Sequence, residues 1–215
     1  MDDGHAAVID GHGGHDTHHE IEIPYTVHNR PDTGLYNGKL GIWLFLASEV
    51  MLFGAMFSAL ILIRTSAPTW PNAHQILNVW LAMVNTFVLI FSSVSVVLAW
   101  ANLRLGNLKW GKIWLGVTLA CGFGFMIIKS IEYTEKFHHG YLPKTNNFFA
   151  TYFLMTGLHG IHVLVGIGIW VWLLTKARRK VFGKNYFGPI DYAALYWHLV
   201  DLIWIYLFPL LYLIH

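Results

Sequence analysis

Asp191-Tyr192-Ala193-Ala194-Leu195-Tyr196-Trp197-His198-Leu199-Val200-Asp201-Leu202-Ile203-Trp204-Ile205-Tyr206-Leu207-Phe208-Pro209-Leu210 is long and apolar enough to cross a bilayer, yet it carries His198 and Asp201 near its middle. Side chains three positions apart lie on one face of a helix and can meet. An ionisable group at membrane depth is costly, so it should face protein or water and marks a candidate site. The same habit recurs at Glu49 and at His159 and His162, each inside an apolar run. The chain therefore reads as an integral membrane protein with few, deliberately placed polar groups.

Working outward, five apolar segments approach or exceed the roughly 20 residues that span a hydrocarbon core. They fall at about 40–63, 76–101, 113–133, 148–174 and 191–213, and predict an all-α bundle of five transmembrane helices. Residues 1–38 form a polar, His- and Gly-rich arm, expected to be largely irregular, and 39–215 the membrane domain. His5, His12, His15, His18 and His19 of the arm could bind metal transiently, but they lack regular ligand spacing, and a solvated tail is the simpler reading. The chain opens Met1-Asp2-Asp3-Gly4-His5, without the basic and apolar regions of a cleavable signal peptide.

Composition agrees: 55% of residues are hydrophobic and 12% charged, against roughly 25% charged in soluble domains. A formal charge of +2 gives no footprint for nucleic acid. One cysteine, Cys121, excludes an intrachain disulfide. If the helices alternate, Arg30, Lys39, Arg104, Lys109, Lys112, Lys176, Arg178, Arg179, Lys180 and Lys184 share one side, and Arg64, Lys129, Lys136 and Lys144 the other. The positive-inside rule then predicts a cytoplasmic N-terminus and an external C-terminus.

Each polar group within a span has two readings. Glu49 must lose its charge or find a partner, either as a proton-exchanging or lipid-contacting carboxyl or as an acid bonded to a neighbouring helix; both stay open. Asn85, Thr86, Ser92 and Ser93 suit interhelical hydrogen bonding, with Asn85 and Ser92 two turns apart on one face. Gly116, Gly122 and Gly124 suggest close helix approach, and Glu132 can pair with Lys129 at i, i+3. Thr156, His159, His162 and Gly166 fall on one stripe. With His198 on another helix they invite a haem or metal reading, whereas histidines bonded to Asp, Glu or backbone across the bundle need no cofactor.

At these residues the chain resembles subunit III of the haem–copper terminal oxidases, in the shorter bacterial form with five spans. The resemblance rests on Gly41-x-Trp43-x-Phe45-x-x-Ser48-Glu49 with Phe53-Gly54, and on Asn85-Thr86 followed by Ser92-Ser93. It continues through Glu132-Tyr133, Thr156-Gly-x-His159-Gly-x-His162-Val-x-x-Gly166 and Tyr196-Trp197-His198-x-Val200-Asp201-x-x-Trp204. One departure is Lys129, where many members have Gln.

What the resemblance implies is a non-catalytic subunit of a respiratory cytochrome c oxidase, part of aerobic electron transport coupled to proton pumping. It implies no haem, copper or other metal in this chain, with haem and copper in partner subunits. It further implies packing on subunit I beside Glu49, contacts with other oxidase subunits or a larger supercomplex, bound phospholipid, support of sustained proton uptake, and a place in the bacterial cytoplasmic membrane. The same role in a quinol oxidase or nitric oxide reductase complex is the near alternative. A haem-binding membrane cytochrome and a small proton-coupled transporter are the distant ones.

Overall fold

A computed structural model describes residues 37–67, 70–71, 77–178 and 188–213. The described residues form five helices, each long and apolar enough to cross a membrane. They are α1 (Asn37–Ser66), α2 (Val79–Arg104), α3 (Leu108–His138), α4 (Asn147–Arg178) and α5 (Gly188–Phe208), the last running into a π-helical turn, Pro209–Leu213. Proline lacks an amide hydrogen and crowds the carbonyl one turn before it, so widening the helix at Pro209 accommodates what a regular α-turn would not. Most of the His-rich arm lies outside the described residues, and its last two positions, Asn37 and Gly38, already belong to α1.

The helices overrun the apolar segments at most ends, because interfacial polar residues continue a helix that hydropathy alone would stop. The third span is the clearest correction: it runs from Leu108 to His138 and takes in Lys109, Lys112, Glu135 and Lys136. The second starts at Val79, not at 76, where the Asn78 side chain accepts a hydrogen bond from the Leu81 amide at 3.2 Å. Two helices end on glycines with positive φ, Gly106 at 81° and Gly140 at 74°. There the Asn107 amide reaches back to Asn102 O at 2.9 Å, and the Tyr141 amide to Lys136 O at 3.0 Å. Those paired bonds satisfy the carbonyls that a helix end otherwise leaves open.

Helices α2, α3, α4 and α5 close a four-membered ring in which each packs on the next, while α1 lies outside it against α4 and α5. The registers are antiparallel around the ring, as Ser95 meets Thr118, Tyr133 meets Thr156, Tyr152 meets Tyr212 and Ser92 meets Trp197. Phe45 and Phe57 meet Tyr196 and Tyr206 in the same order, so α1 runs parallel to α5. The core is aromatic, with Trp170, Trp197, Trp204, Tyr152 and Tyr212 fully buried. Outward faces carry Leu, Ile, Val and Phe, the arrangement expected where lipid tails are the solvent.

Close approach depends on particular glycines. A Cβ on Gly166 would sit 2.6 Å from Cζ3 of Trp197, and one on Gly122 would sit 3.0 Å from the same indole. Gly116 and Gly124, by contrast, have open space around them, so the expectation of close approach holds in this stretch only at Gly122. Trp197 is fully buried and has no free end to withdraw. Gly166→Ala is therefore expected to destabilise the bundle by about 1–3 kcal/mol through overpacking. Thermal unfolding in detergent should show the loss, and Gly124→Ala, in open space, should show none.

Candidate functional site

The polar side chains gather into three groups inside the apolar bundle. The first joins α1 to α4. Glu49 Oε2 lies 2.9 Å from Nε2 of His162, whose Nδ1 lies 2.8 Å from the Leu158 carbonyl. A carbonyl can only accept, so Nδ1 carries a hydrogen, and a single proton is left between Nε2 and the carboxyl. The pair exists as carboxylic acid with neutral imidazole or as carboxylate with imidazolium, and both forms are net neutral. The edge of His162 also packs against Phe53, ring centroids 5.3 Å apart, and Tyr196 OH donates to the His162 carbonyl at 3.0 Å. Ser48 takes no part, since its hydroxyl donates to Phe45 O in its own helix at 2.7 Å.

The second group ties α3, α4 and the π-turn together around Glu132. Tyr152 OH and Tyr212 OH donate to Glu132 Oε1 at 2.8 and 2.7 Å, and Lys129 Nζ donates to Oε2 at 2.8 Å. Lys129 also donates to Tyr212 OH at 2.7 Å and stands 4.6 Å over the Trp204 ring. Lys136 Nζ lies 3.7 Å from Oε1. Glu132 is 1% exposed, Lys129 7% and Lys136 5%, so one carboxylate and two ammonium groups are held away from solvent. The i, i+3 pair read from the sequence is present, but Lys136, Tyr152 and Tyr212 were missed. Lys136 was legible as the i+4 neighbour of Glu132, whereas no local spacing links either tyrosine to α3. Beside this group, Tyr133 OH donates to Thr156 Oγ1 at 2.5 Å, and Thr156 donates to Tyr152 O at 2.6 Å.

The third group runs between α2 and α5. Trp197 Nε1 donates to Ser92 Oγ and Trp204 Nε1 to Thr86 Oγ1, each at 3.0 Å. Ser93 Oγ and His198 Nδ1 are 2.5 Å apart, and Trp100 Nε1 donates to Asp191 near the other end. Indole N–H groups need partners when buried, and small hydroxyls on the facing helix supply them without holding the helices apart.

Three buried side chains depart from expectation. Asp201 does not bond His198, which instead meets Ser93 of the neighbouring helix α2, the other arrangement open to it. Neither oxygen of Asp201 makes a well-formed hydrogen bond among the described residues, and the Ser93 hydroxyl is close enough to interact with the carboxyl. Asn85 shares a face with Ser92, yet both its amide atoms are unbonded, as are both nitrogens of His159. The His159 ring sits between Phe125 and Trp204, at 5.6 and 5.1 Å between centroids. The histidines that invited a haem or metal reading have separate surroundings: Glu49 and Leu158 O at His162, Ser93 at His198, aromatic rings at His159. No group of three or more His, Cys, Asp or Glu among the described residues is placed to hold a metal ion.

Fold and site together define a class: an integral membrane bundle whose buried polar groups link helix to helix. Comparison with known proteins makes the assignment specific. The family described as cytochrome c oxidase subunit III matches residues 22–215. The chain is 32% identical over 180 residues to cytochrome c oxidase subunit 3 of Bacillus sp. (strain PS3), covering 82% of this chain and 86% of that one. It is 33% identical over 184 residues to quinol oxidase subunit 3 of Bacillus spizizenii (strain ATCC 23059 / NRRL B-14472 / W23), covering 85% and 89%. It is 30% identical over 187 residues to cytochrome bo(3) ubiquinol oxidase subunit 3 of Buchnera aphidicola subsp. Baizongia pistaciae (strain Bp), covering 85% and 94%. The chain belongs to the subunit III family of the haem–copper oxidases.

Proposed function

We propose that this chain is the non-catalytic subunit III of a respiratory cytochrome c oxidase, packed on the catalytic subunit I beside α1, binding phospholipid and supporting sustained proton uptake. The observation that carries the reading is the family match across residues 22–215, which takes in every described helix. The buried groups support it: they join α1 to α4, α3 to α4 and the π-turn, and α2 to α5, which is what a scaffold subunit requires. Helix α1 buries few of its own residues, Leu46, Phe53 and Leu60, and leaves a long apolar face for a partner helix or lipid beside Glu49. Relatives named for cytochrome c and for quinol both match, so electron-donor identity belongs to this proposal.

Haem and copper then reside in partner subunits. The N-terminus lies in the cytoplasm and the C-terminus outside a bacterial cytoplasmic membrane. Arg104, Lys109, Lys112 and Lys176 at one end of the bundle support that orientation, and Lys176 caps Trp172 there at 4.1 Å to the ring centroid. Affinity purification of the tagged chain from native membranes tests the proposal. The expected result is a complex containing subunits I and II, with haem that stays with those subunits when the chain is stripped away. The stripped chain should show no Soret band and no stoichiometric iron or copper. A haem-to-chain ratio near one after stripping would sink the proposal, and oxidation of cytochrome c against quinol decides the donor.

A further inference from the structure

Ser93 and His198 lie near the middle of α2 and α5, the depth of the hydrocarbon core in a spanning helix. Ser93 Oγ meets His198 Nδ1 at 2.5 Å, and the same hydroxyl is close enough to interact with the Asp201 carboxyl. Asp201 is buried, whereas Ser93 and His198 are half-buried, so the three form a short polar chain running outward from the ring. The far nitrogen of His198, Nε2, has no hydrogen-bond partner among the described residues. The fully buried side-chain atoms left unbonded among those residues belong to Asn85, His159 and Asp201, so Nε2 is unbonded but not enclosed.

It opens on an apolar outer face. His198, Leu202 and Ile205 follow the i, i+4, i+7 stripe of one helix side, and Ile90 and Val97 stand one turn to either side of Ser93 on α2. These four apolar residues are exposed, and α1, which touches α5 at Tyr196 and Tyr206, leaves them uncovered. A serine hydroxyl has one hydrogen to give. If it goes to Asp201, Nδ1 must carry the hydrogen of the 2.5 Å contact, and a neutral imidazole then presents Nε2 as an acceptor. If it goes to Nδ1, Nε2 carries the imidazole hydrogen and is a donor. In both forms a polar atom faces hydrocarbon, which neither donates nor accepts, so lipid tails leave it unsatisfied.

We propose that the α2–α5 face centred on His198 docks a transmembrane helix of a neighbouring oxidase subunit, which brings a hydroxyl or amide side chain to Nε2. Such side chains bond from helix to helix in membranes, and each can donate or accept, so it serves either form of the imidazole. Ile90, Val97, Leu202 and Ile205 supply the apolar contact around that bond, and Ser93 holds the ring from behind. This face is separate from the α1 surface assigned above to subunit I, and it rests on that reading only in taking the partner from an oxidase complex.

The test is site-specific photocrosslinking in the intact complex, with benzoylphenylalanine in place of Leu202 or Val97. The expected result is an adduct with another transmembrane subunit, identified by mass spectrometry. The Leu202-position adduct should fall several-fold when His198→Leu is added and persist with His198→Gln, whose amide can still bond the partner. Absence of a protein adduct at both positions, or an adduct with a second copy of this chain, overturns the proposal, and that reading needs no His198 variant to assemble. An undiminished adduct in the assembled His198→Leu complex also overturns it, because apolar contact alone then seats the partner. The same probe at Met51, exposed on α1, reports the subunit I contact, so its failure counts against the proposed function and not against this face.

Discussion

Glu132→Ala is expected to abolish accumulation of the subunit in its complex. The substitution removes the one carboxylate among the described residues that Lys129 touches and leaves Tyr152 and Tyr212 without their shared acceptor. Removing one partner of a buried ion pair costs about 3–5 kcal/mol, because the remaining charge is uncompensated. Here the remaining uncompensated charge is that of Lys129, nearly inaccessible, whereas Lys136 keeps the Glu135 carboxylate as a neighbouring opposite charge. A domain of this size has a total stability of about 5–15 kcal/mol, so the loss is a large share of it. Immunoblots of membranes should show little chain, and the residual complex should melt earlier in detergent. The companion Lys129→Met, Glu132→Gln double variant removes charge of both signs and should recover much of the level, since replacing a buried pair together is often neutral. Full accumulation of Glu132→Ala would mean the group is held by something other than these bonds.

The second large effect concerns Glu49. As a hypothesis, Glu49→Gln keeps the complex and most of its oxygen reduction, because the Gln amide can donate to Nε2 of His162 much as the protonated acid does. Glu49→Ala leaves that nitrogen unpaired, at a cost of about 1–3 kcal/mol. Helix α1 stands outside the ring with few buried residues, so this loss should loosen it from α4 and shorten the working life of the oxidase. Oxygen consumption followed through many turnovers, with subunit stoichiometry after detergent extraction, measures both outcomes. If Glu49→Gln stops oxygen reduction at once in an intact complex, Glu49 is an obligatory proton carrier and the accessory role is wrong.

Glu49 and His162 illustrate how far the sequence can be read. A carboxyl ten residues into an apolar run demanded a partner, and an imidazole within an apolar run was an available one. Their union across 113 positions depended on the rotation of α1 against α4, which no local periodicity encodes. Thr156, His159, His162 and Gly166 share a helical stripe, yet the ring turns His159 inward while His162 reaches outward to α1. A stripe spanning that width covers two neighbours, and tertiary packing assigns each residue to one of them.

The sequence by itself determined that five apolar helices are long enough to cross a membrane, that ionisable groups in mid-span such as Glu49 and His159 need protein around them, and which family motifs the helices carry. Hydrophobic length and the cost of burying charge are properties of the chain read residue by residue, so they needed no coordinates. Partnership between helices was decided by the tertiary structure alone. Asn85 and Ser92 have the same face and similar chemistry, but Ser92 meets the Trp197 indole and Asn85 meets no described partner. Glu132 gathers hydroxyls from α4 and the turn after Pro209, elements far away in the chain. A hydrogen bond needs its two atoms within about 3 Å, and that precision is set by the register and rotation of packed helices, not by the spacing of residues along any one of them.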